Sequence, residues 1–481
     1  ATVHAWERSR PGGRQPSSLD ANHGISIFQW RPRRPSPIND MKKDHTWARQ
    51  FGNNAALKTL ADSAKRAAVL FAGTLLVVPA CVMGAEAAIE AQQTSVADNG
   101  IACGVLYRAD VVSNVTGGLK EGTTALGNLD VKFDFNLGTL IGWDGVSVGV
   151  HGIASHGGKP NANHVGSSQG VDNIEVDTNA AKLFQAWIQK QLLDERMSVL
   201  FGLYDLNSEF YVSHSTGIFL HPSPGIGSEL AQTGLNGPSV FPTSSVGLRV
   251  GYLPTPETYV QAVVLDGVPG DPDNPRGTHI QFNDGDGALR VVEVGYIPGK
   301  AQGGESASRD QTDKYAVGAW SYTTRFADLV DVDGTGGPLM RKGNRGFYVL
   351  AERTLHRGTR NPDSHADGFI RYGRANADFN QFSSYFQTGL VFSGMVAGRS
   401  EDQFAVSYST ARTGDKHRLA ASIAGAEATS HESVWEATYR AYMAPWLSVQ
   451  PNIQYVINPG ADAQIKNATV LGVRFEMSVE K

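Results

Sequence analysis

After about residue 100, the chain consists largely of short segments in which apolar and polar residues alternate. Residues 131–137 read Val-Lys-Phe-Asp-Phe-Asn-Leu, and residues 447–457 read Leu-Ser-Val-Gln-Pro-Asn-Ile-Gln-Tyr-Val-Ile. Because successive side chains of a strand point to opposite faces, each segment predicts a strand with one apolar and one polar face. No long segment in this part of the chain keeps the 3.6-residue period of an amphipathic helix.

Sixteen such strands are predicted, and the connections between them differ strongly in length. The strands are expected at 104–114, 131–137, 145–153, 181–190, 197–204, 245–252, 258–266, 289–296, 315–322, 345–354, 369–377, 383–392, 402–408, 433–442, 447–457 and 469–479. Short turns are expected near 192–195, 253–256 and 443–446. Long connections rich in Gly, Asn, Asp, Ser and Pro are expected at 154–180, 205–244, 267–288, 323–344 and 409–432.

An even number of two-faced strands, with short turns at one end and long loops at the other, is typical of outer-membrane barrels. The predicted fold is therefore all-β: a transmembrane antiparallel β-barrel of about 16 strands, with short periplasmic turns and long extracellular loops. Aromatic residues near the strand ends fit the girdles that such barrels place at the two membrane interfaces. The predicted girdle residues are Trp143, Tyr204, Tyr252, Tyr259, Tyr296, Tyr322, Phe392, Tyr408, Tyr442 and Trp446.

A barrel of this size leaves an aqueous channel, whereas an eight-stranded barrel is filled by its own side chains. The alternation predicts which polar residues line that channel. A neutral sugar offers hydroxyl groups that both donate and accept hydrogen bonds, so mixed charged and amide side chains suit its passage. The predicted pore-lining and sugar-contact residues on the strands are Arg108, Asp110, Lys132, Asp134, Glu436, Arg440, Gln450, Asn452 and Gln454.

The connection 205–244 is the longest in this part of the chain, and connections longer than about 12–15 residues are usually functional or disordered. Its composition favours a loop folded into the channel, although an external cover is the alternative. Asp205, Asn207 and Glu209 are predicted to present oxygen atoms to sugar hydroxyls. The predicted anchors against the inner wall are Phe210, Tyr211, Ile218, Phe219, Leu220 and Phe241.

The charge distribution separates the N-terminal part from the rest of the chain. Residues 1–87 carry twelve Lys and Arg against six Asp and Glu, which leaves 30 basic and 41 acidic residues in the remainder. Lys65-Arg66, the uncharged run 67–85 and Ala85-Glu86-Ala87 together resemble a secretory signal peptide and its cleavage site. We therefore expect an over-extended or disordered segment at 1–40, a signal-peptide region at 41–87 and a barrel domain at 88–481.

Other kinds of chemistry find little support in the sequence. Residues 166–170 match the G-x-S-x-G motif, but no helix is predicted after them, as a nucleophile elbow requires. The acidic turns near 271–273, 284–286 and 331–334 do not complete a calcium loop. We predict no enzyme activity, no metal site, no cofactor and, since the formal net charge is -5, no nucleic-acid binding. An adhesin or structural barrel remains an alternative.

Residues 445–460, Pro-Trp-Leu-Ser-Val-Gln-Pro-Asn-Ile-Gln-Tyr-Val-Ile-Asn-Pro-Gly, resemble the penultimate-strand signature of the carbohydrate-selective porin family, the OprB type. Residues 114–118, 140–145, 201–210 and 436–440 support the resemblance, which extends over roughly 100–481. It implies a sixteen-stranded, monomeric pore in the outer membrane of a Gram-negative bacterium. Small sugars would pass by diffusion, without a cofactor, and outer-membrane lipid would surround the barrel. A general porin without sugar preference is the remaining alternative.

Overall fold

The computed structural model describes residues 99–299, 313–358 and 364–480, so the segments predicted at 1–40 and 41–87 lie outside the described residues. The strands within these ranges are β1 Ile101–Gly118, β2 Gly122–Asn136, β3 Val146–Gly157, β4 Ala181–Leu192, β5 Met197–Tyr204, β6 Ser245–Thr255, β7 Thr258–Asp266, β8 Ala288–Tyr296, β9 Lys314–Tyr322, β10 Phe326–Val332, β11 Pro338–Arg341, β12 Arg345–Arg357, β13 His365–Ala375, β14 Phe382–Ser393, β15 Gln403–Thr413, β16 His431–Ala444, β17 Leu447–Ile457 and β18 Lys466–Glu480.

All of these strands except β10 and β11 form one closed antiparallel barrel of sixteen strands. Neighbours in the chain are neighbours in the barrel, β9 pairs with β12, and β1 closes the circle by pairing with both β2 and β18. Ala109, for example, lies opposite Gly127 of β2 and Phe475 of β18. Each of the sixteen predicted strands overlaps a barrel strand, so the predicted fold class is confirmed.

The two faces of the barrel wall follow the predicted alternation. On β17, Ile453 and Tyr455 point outwards and are exposed, whereas the intervening Gln454 points inwards and is buried. The girdle prediction is wrong for Tyr204, Tyr259 and Tyr322. These three rings lie on the inner face, where their hydroxyl groups bond Glu209, Glu293 and Thr233 respectively.

The connections at the two ends differ as expected, with exceptions. At the short-turn end, 193–196, 256–257 and 445–446 link consecutive strands; at the long-loop end, 158–180, 205–244 and 267–287 do so. The connections 119–121 and 376–381 are short although they belong to the long-loop end. No helix in the described ranges is long and apolar enough to cross a bilayer. The α-helices there are α1 Leu137–Ile141, α2 Ser228–Ala231 and α3 Asp415–Ile423.

The connection 323–344 contains the hairpin β10–β11, which the sequence pattern did not predict. Asp328 of this hairpin is bound by Arg341 of the neighbouring strand and by Lys416 of α3. The Lys416 Nζ atom lies 2.7 Å from Asp328 Oδ2 and 3.2 Å from Asp378 Oδ1. Ion pairs therefore join three connections at the long-loop end.

Candidate solute pathway

The connection 205–244 lies inside the barrel, against its inner wall. Five of its six predicted anchors, Phe210, Tyr211, Ile218, Phe219 and Leu220, are at most 4% exposed. The Phe219 ring packs edge-on against inward-facing Phe369 of β13 at 5.8 Å. The sixth anchor, Phe241, is only half-buried and packs against Phe184 at 6.0 Å. We call 205–244 the inner loop.

The inner loop contacts the wall from β4 to β17, which is more than half of the barrel circumference. Its backbone is bound by Glu293 of β8, Lys314 of β9 and Glu352 of β12. Further along the wall it is bound by Arg371 of β13, Glu436 of β16 and Gln450 of β17. The inner loop therefore covers this part of the wall, and the wall that runs from β18 through β1 to β3 lies opposite it.

Four predicted solute contacts on β16 and β17 are covered by the inner loop or by the connection 158–180. Gln450 donates to the carbonyl oxygen of Ile218 at 2.6 Å, and Gln454 donates to that of Val171 at 2.8 Å. Glu436 accepts from the backbone of the inner loop, and Asn452 donates to Glu436 at 2.5 Å. All four face inwards and are at most 6% exposed, so their role as sugar contacts stays a prediction.

The predicted pore-lining residue Asp110 is buried as well. It is 2% exposed and forms a two-pronged ion pair with Arg474 of β18, in which Arg474 Nη2 lies 2.6 Å from Asp110 Oδ2. Arg474 Nη2 also donates to Asn173 at 2.7 Å, which ties the connection 158–180 to the wall.

The three candidates at the start of the inner loop have different surroundings. Asn207 donates to the carbonyl oxygens of Phe210 and Gly225, so its amide holds the loop itself. Burial within the loop raises the pKa of Asp205 to about 7. Glu209 is 34% exposed in its side chain and accepts from Arg249 at 2.7 Å. Glu209 is therefore part-exposed beside Arg249, and the role of all three residues as sugar contacts stays a prediction.

Charged side chains form a hydrogen-bonded row on the wall that the inner loop leaves open. Arg108 of β1 donates to Glu476 of β18 at 3.1 Å and to Asp130 of β2 at 3.0 Å. Asp130 is bonded in turn to His151 of β3 at 2.8 Å. Arg108 and Glu476 remain 27% and 25% exposed in their side chains. We call Glu476, Arg108, Asp130 and His151 the inner belt.

The predicted residues Lys132, Asp134 and Arg440 lie on the same inner face beside the belt. Lys132 is exposed, and Asp134 and Arg440 are half-buried. Arg440 Nε donates to Gln450 at 3.2 Å, and Arg440 Nη2 lies 3.5 Å from the Gly217 carbonyl oxygen. Arg440 therefore connects the inner loop to the wall next to the belt.

Residues 120–478 match the family model described as carbohydrate-selective porin, OprB family. The chain belongs to this family. Porin B of Pseudomonas aeruginosa is 23% identical over 416 residues, which covers 80% of this chain and 89% of that protein. The high-pH structure of Pseudomonas putida OprB has a TM-score of 0.69 at 19% identity and covers 79% of this chain and 95% of that one. The low-pH structure of that protein has a TM-score of 0.51 at 16% identity, covering 79% and 93%.

In this OprB-family porin, Trp187 of β4 is an inward-facing residue that the sequence analysis missed. It lies between Gly149 of β3 and Gly202 of β5, and its indole lies over Gly149, where a Cβ atom would collide with the ring. Its side chain stays half-buried, at the edge of the apolar cluster that anchors the inner loop. A Trp between two cross-strand glycines was the available signal, but the phase of this strand was ambiguous in the sequence.

The G-x-S-x-G match has a structural role in this porin. Ser167, in the G-x-S-x-G match, donates its hydroxyl to Glu432 at 2.7 Å and holds the connection 158–180 to β16. Within the described ranges, His, Cys, Asp and Glu side chains form no group of three or more that could hold a metal ion.

Proposed function

We propose that small neutral sugars diffuse passively through this outer-membrane porin along the inner belt. The observation that supports the pathway most directly is the row Glu476–Arg108–Asp130, whose members Glu476 and Arg108 are part-exposed and which faces the wall covered by the inner loop. Its carboxylates accept hydrogen bonds and its guanidinium donates them, so it can satisfy hydroxyl groups in either role. A dissolved sugar can therefore exchange water for side-chain partners as it passes.

Trp187 supplies the apolar part of such a pathway. A sugar ring has faces made of C–H groups, and a partly exposed indole offers a flat apolar surface with one polar edge. Trp187 and the belt lie on neighbouring strands, since His151 of β3 pairs with Gln185 of β4. We propose that solutes contact the ring and the charges together.

Liposome swelling tests the proposal with a panel of monosaccharides, disaccharides, amino acids and organic acids of similar size. We expect sugars to enter faster than size-matched amino acids, and Arg108→Ala and Trp187→Ala to reduce this preference. Equal rates for all solutes of one size would favour a general porin without sugar preference. A folded, inserted barrel that passes neither solutes nor current would favour an adhesin or structural barrel.

Four further statements belong to this proposal. The long-loop end is extracellular, the barrel is surrounded by outer-membrane lipid and acts as a monomer, the chain acts as a channel without a catalytic step, and the mature protein begins after Ala87. N-terminal sequencing of exported material tests the last statement, because a mature chain that begins before Ala85 would contradict it. Light scattering of the detergent-purified protein gives its oligomeric state.

A further inference from the structure

Three glutamates of the inner wall share an unusual environment. Glu293 of β8, Glu352 of β12 and Glu436 of β16 are 0%, 2% and 1% exposed, although each is a charged residue that points into the barrel. A buried carboxylate is costly unless hydrogen bonds compensate its lost hydration. In all three cases, donors of the inner loop supply part of that compensation, while Glu293 also accepts from Tyr259, Gln261 and Tyr348 of the wall.

The bonds lie within one short stretch of the inner loop, 211–221. Glu352 accepts from the Ser213 hydroxyl at 2.6 Å, the His214 N–H at 3.0 Å and the Ser215 N–H at 2.9 Å. Glu293 accepts from the Tyr211 N–H at 2.8 Å. Glu436 accepts from the Leu220 N–H at 2.7 Å and also binds the ring of His221. We call the three carboxylates the glutamate clamp.

The glutamate clamp also provides hydrogen-bond acceptors for the backbone of the inner loop. Residues 211–221 form no strand, so their buried N–H groups have no ladder partner and need another acceptor. Hydrogen bonds to an ionised acceptor are roughly twice as strong as neutral ones. Three such attachments on three separate strands fix the path of the stretch, whereas a single attachment would leave it free to pivot.

The backbone at the first attachment is in a conformation that needs such support. Tyr211 has φ of 62°, which is a genuine outlier for a bulky residue and persists only where the surroundings impose it. Its ring stacks on Tyr348 at 3.9 Å, and the Arg371 guanidinium lies 4.3 Å from its centroid. Arg371 also donates to the Tyr211 carbonyl oxygen at 2.9 Å.

We infer that Glu293, Glu352 and Glu436 are positioning residues that set the width of the solute passage. The inner loop bounds the passage on one side and the inner belt bounds it on the other. The position of the inner loop therefore determines the width of the passage between the loop and the inner belt. The three glutamates lie under the loop and act on solutes only through it. The inference rests on the proposed function where it concerns sugars, but the effect on width applies to any solute or ion.

The test compares Glu352→Gln and Glu436→Gln with a control that also accepts a backbone N–H. Glu257, at the short-turn end, accepts from the Gly299 N–H at 2.7 Å but does not touch the inner loop, so Glu257→Gln is the matched control. Single-channel conductance and the ratio of disaccharide to monosaccharide swelling rates are measured on folded protein selected by heat-modifiable mobility. We expect higher conductance and a loss of size discrimination in both clamp variants, and wild-type values in the control.

Two further variants separate positioning from general damage to the barrel. Glu352→Asp keeps the charge and should restore part of the size discrimination that Glu352→Gln loses. Ser213→Ala removes one donor and leaves the wall intact, so it should shift conductance in the same direction, but less. Wild-type conductance and size discrimination in folded Glu352→Gln, Glu436→Gln and Ser213→Ala would overturn the inference. Should the wild-type protein show no sugar preference, the proposed function fails, while the conductance comparison still tests the clamp.

Discussion

Replacing Ile453 by Arg tests the assignment of the outer face to lipid. Ile453 lies in the middle of β17, opposite Ala437 of β16 and Leu471 of β18, and is 47% exposed on the outer face. A cation on the lipid side near mid-bilayer costs roughly 2–4 kcal/mol, because no water solvates it there. Each 1.4 kcal/mol is about tenfold in an equilibrium constant, so the folding equilibrium should fall by at least an order of magnitude.

Leu447 provides the matched control, because it lies on the same outer face at the first residue of the same strand. An Arg near the interface costs only about 0–1 kcal/mol. Guanidinium titration of the protein in lipid vesicles, followed by tryptophan fluorescence, measures both variants. Equal destabilisation at the two positions would refute the depth argument, and an unchanged Ile453→Arg variant would refute the outward assignment.

The structure shows that Gln450 is not a suitable control for Ile453, although the sequence pattern suggests it. From the alternation alone, Gln450 would tolerate Arg much better than Ile453, because it faces the lumen. Gln450 is only 1% exposed, however, and donates to the inner loop at Ile218. An Arg there would displace the loop, so Gln450 is not a neutral control.

Three further predictions concern the passage. Arg440→Ala should change conductance or ion selectivity in planar bilayers while heat-modifiable mobility stays that of a folded barrel, because Arg440 lies beside the belt. Deleting 212–238 should raise single-channel conductance and weaken discrimination by solute size; unchanged conductance would contradict a loop inside the channel. Burial raises the pKa of Glu229 in α2 from 4.5 to about 7, so the folded loop binds this proton more tightly than the unfolded loop does. The contribution of Glu229 to the stability of the folded inner loop should therefore be complete below about pH 4.5 and be lost as the pH rises through about 7. Open-channel noise should then depend on pH, and Glu229→Gln should reduce that dependence.

The strands and their faces could be predicted because a strand has a period of two, which the sequence displays directly. In β2, Lys132 and Asp134 point inwards and Phe133 and Phe135 outwards, as the alternation requires. The hairpin β10–β11 was missed because it forms a separate two-stranded sheet and its strand β11 has only four residues. Tyr204, Tyr259 and Tyr322 were misplaced because an aromatic residue near a strand end suits both a lipid interface and a pocket for an inner loop.

The role of an inward-facing charge could not be predicted, because alternation gives the face of a residue but not what covers it. Lys132 and Glu436 both occupy inward positions, yet Lys132 is exposed and Glu436 is 1% exposed. The partner of Glu436, Leu220, is 216 residues away in the chain, so no local pattern reports the contact. A charge inside a barrel can be solvated by water or by the N–H groups of a folded-in loop. This porin uses both: exposed charges such as Lys132 lie on the wall opposite the loop, and carboxylates such as Glu436 lie beneath the loop and accept from its N–H groups. A mutation of an inward charge should therefore change solute contacts on the first wall and the width of the passage on the second.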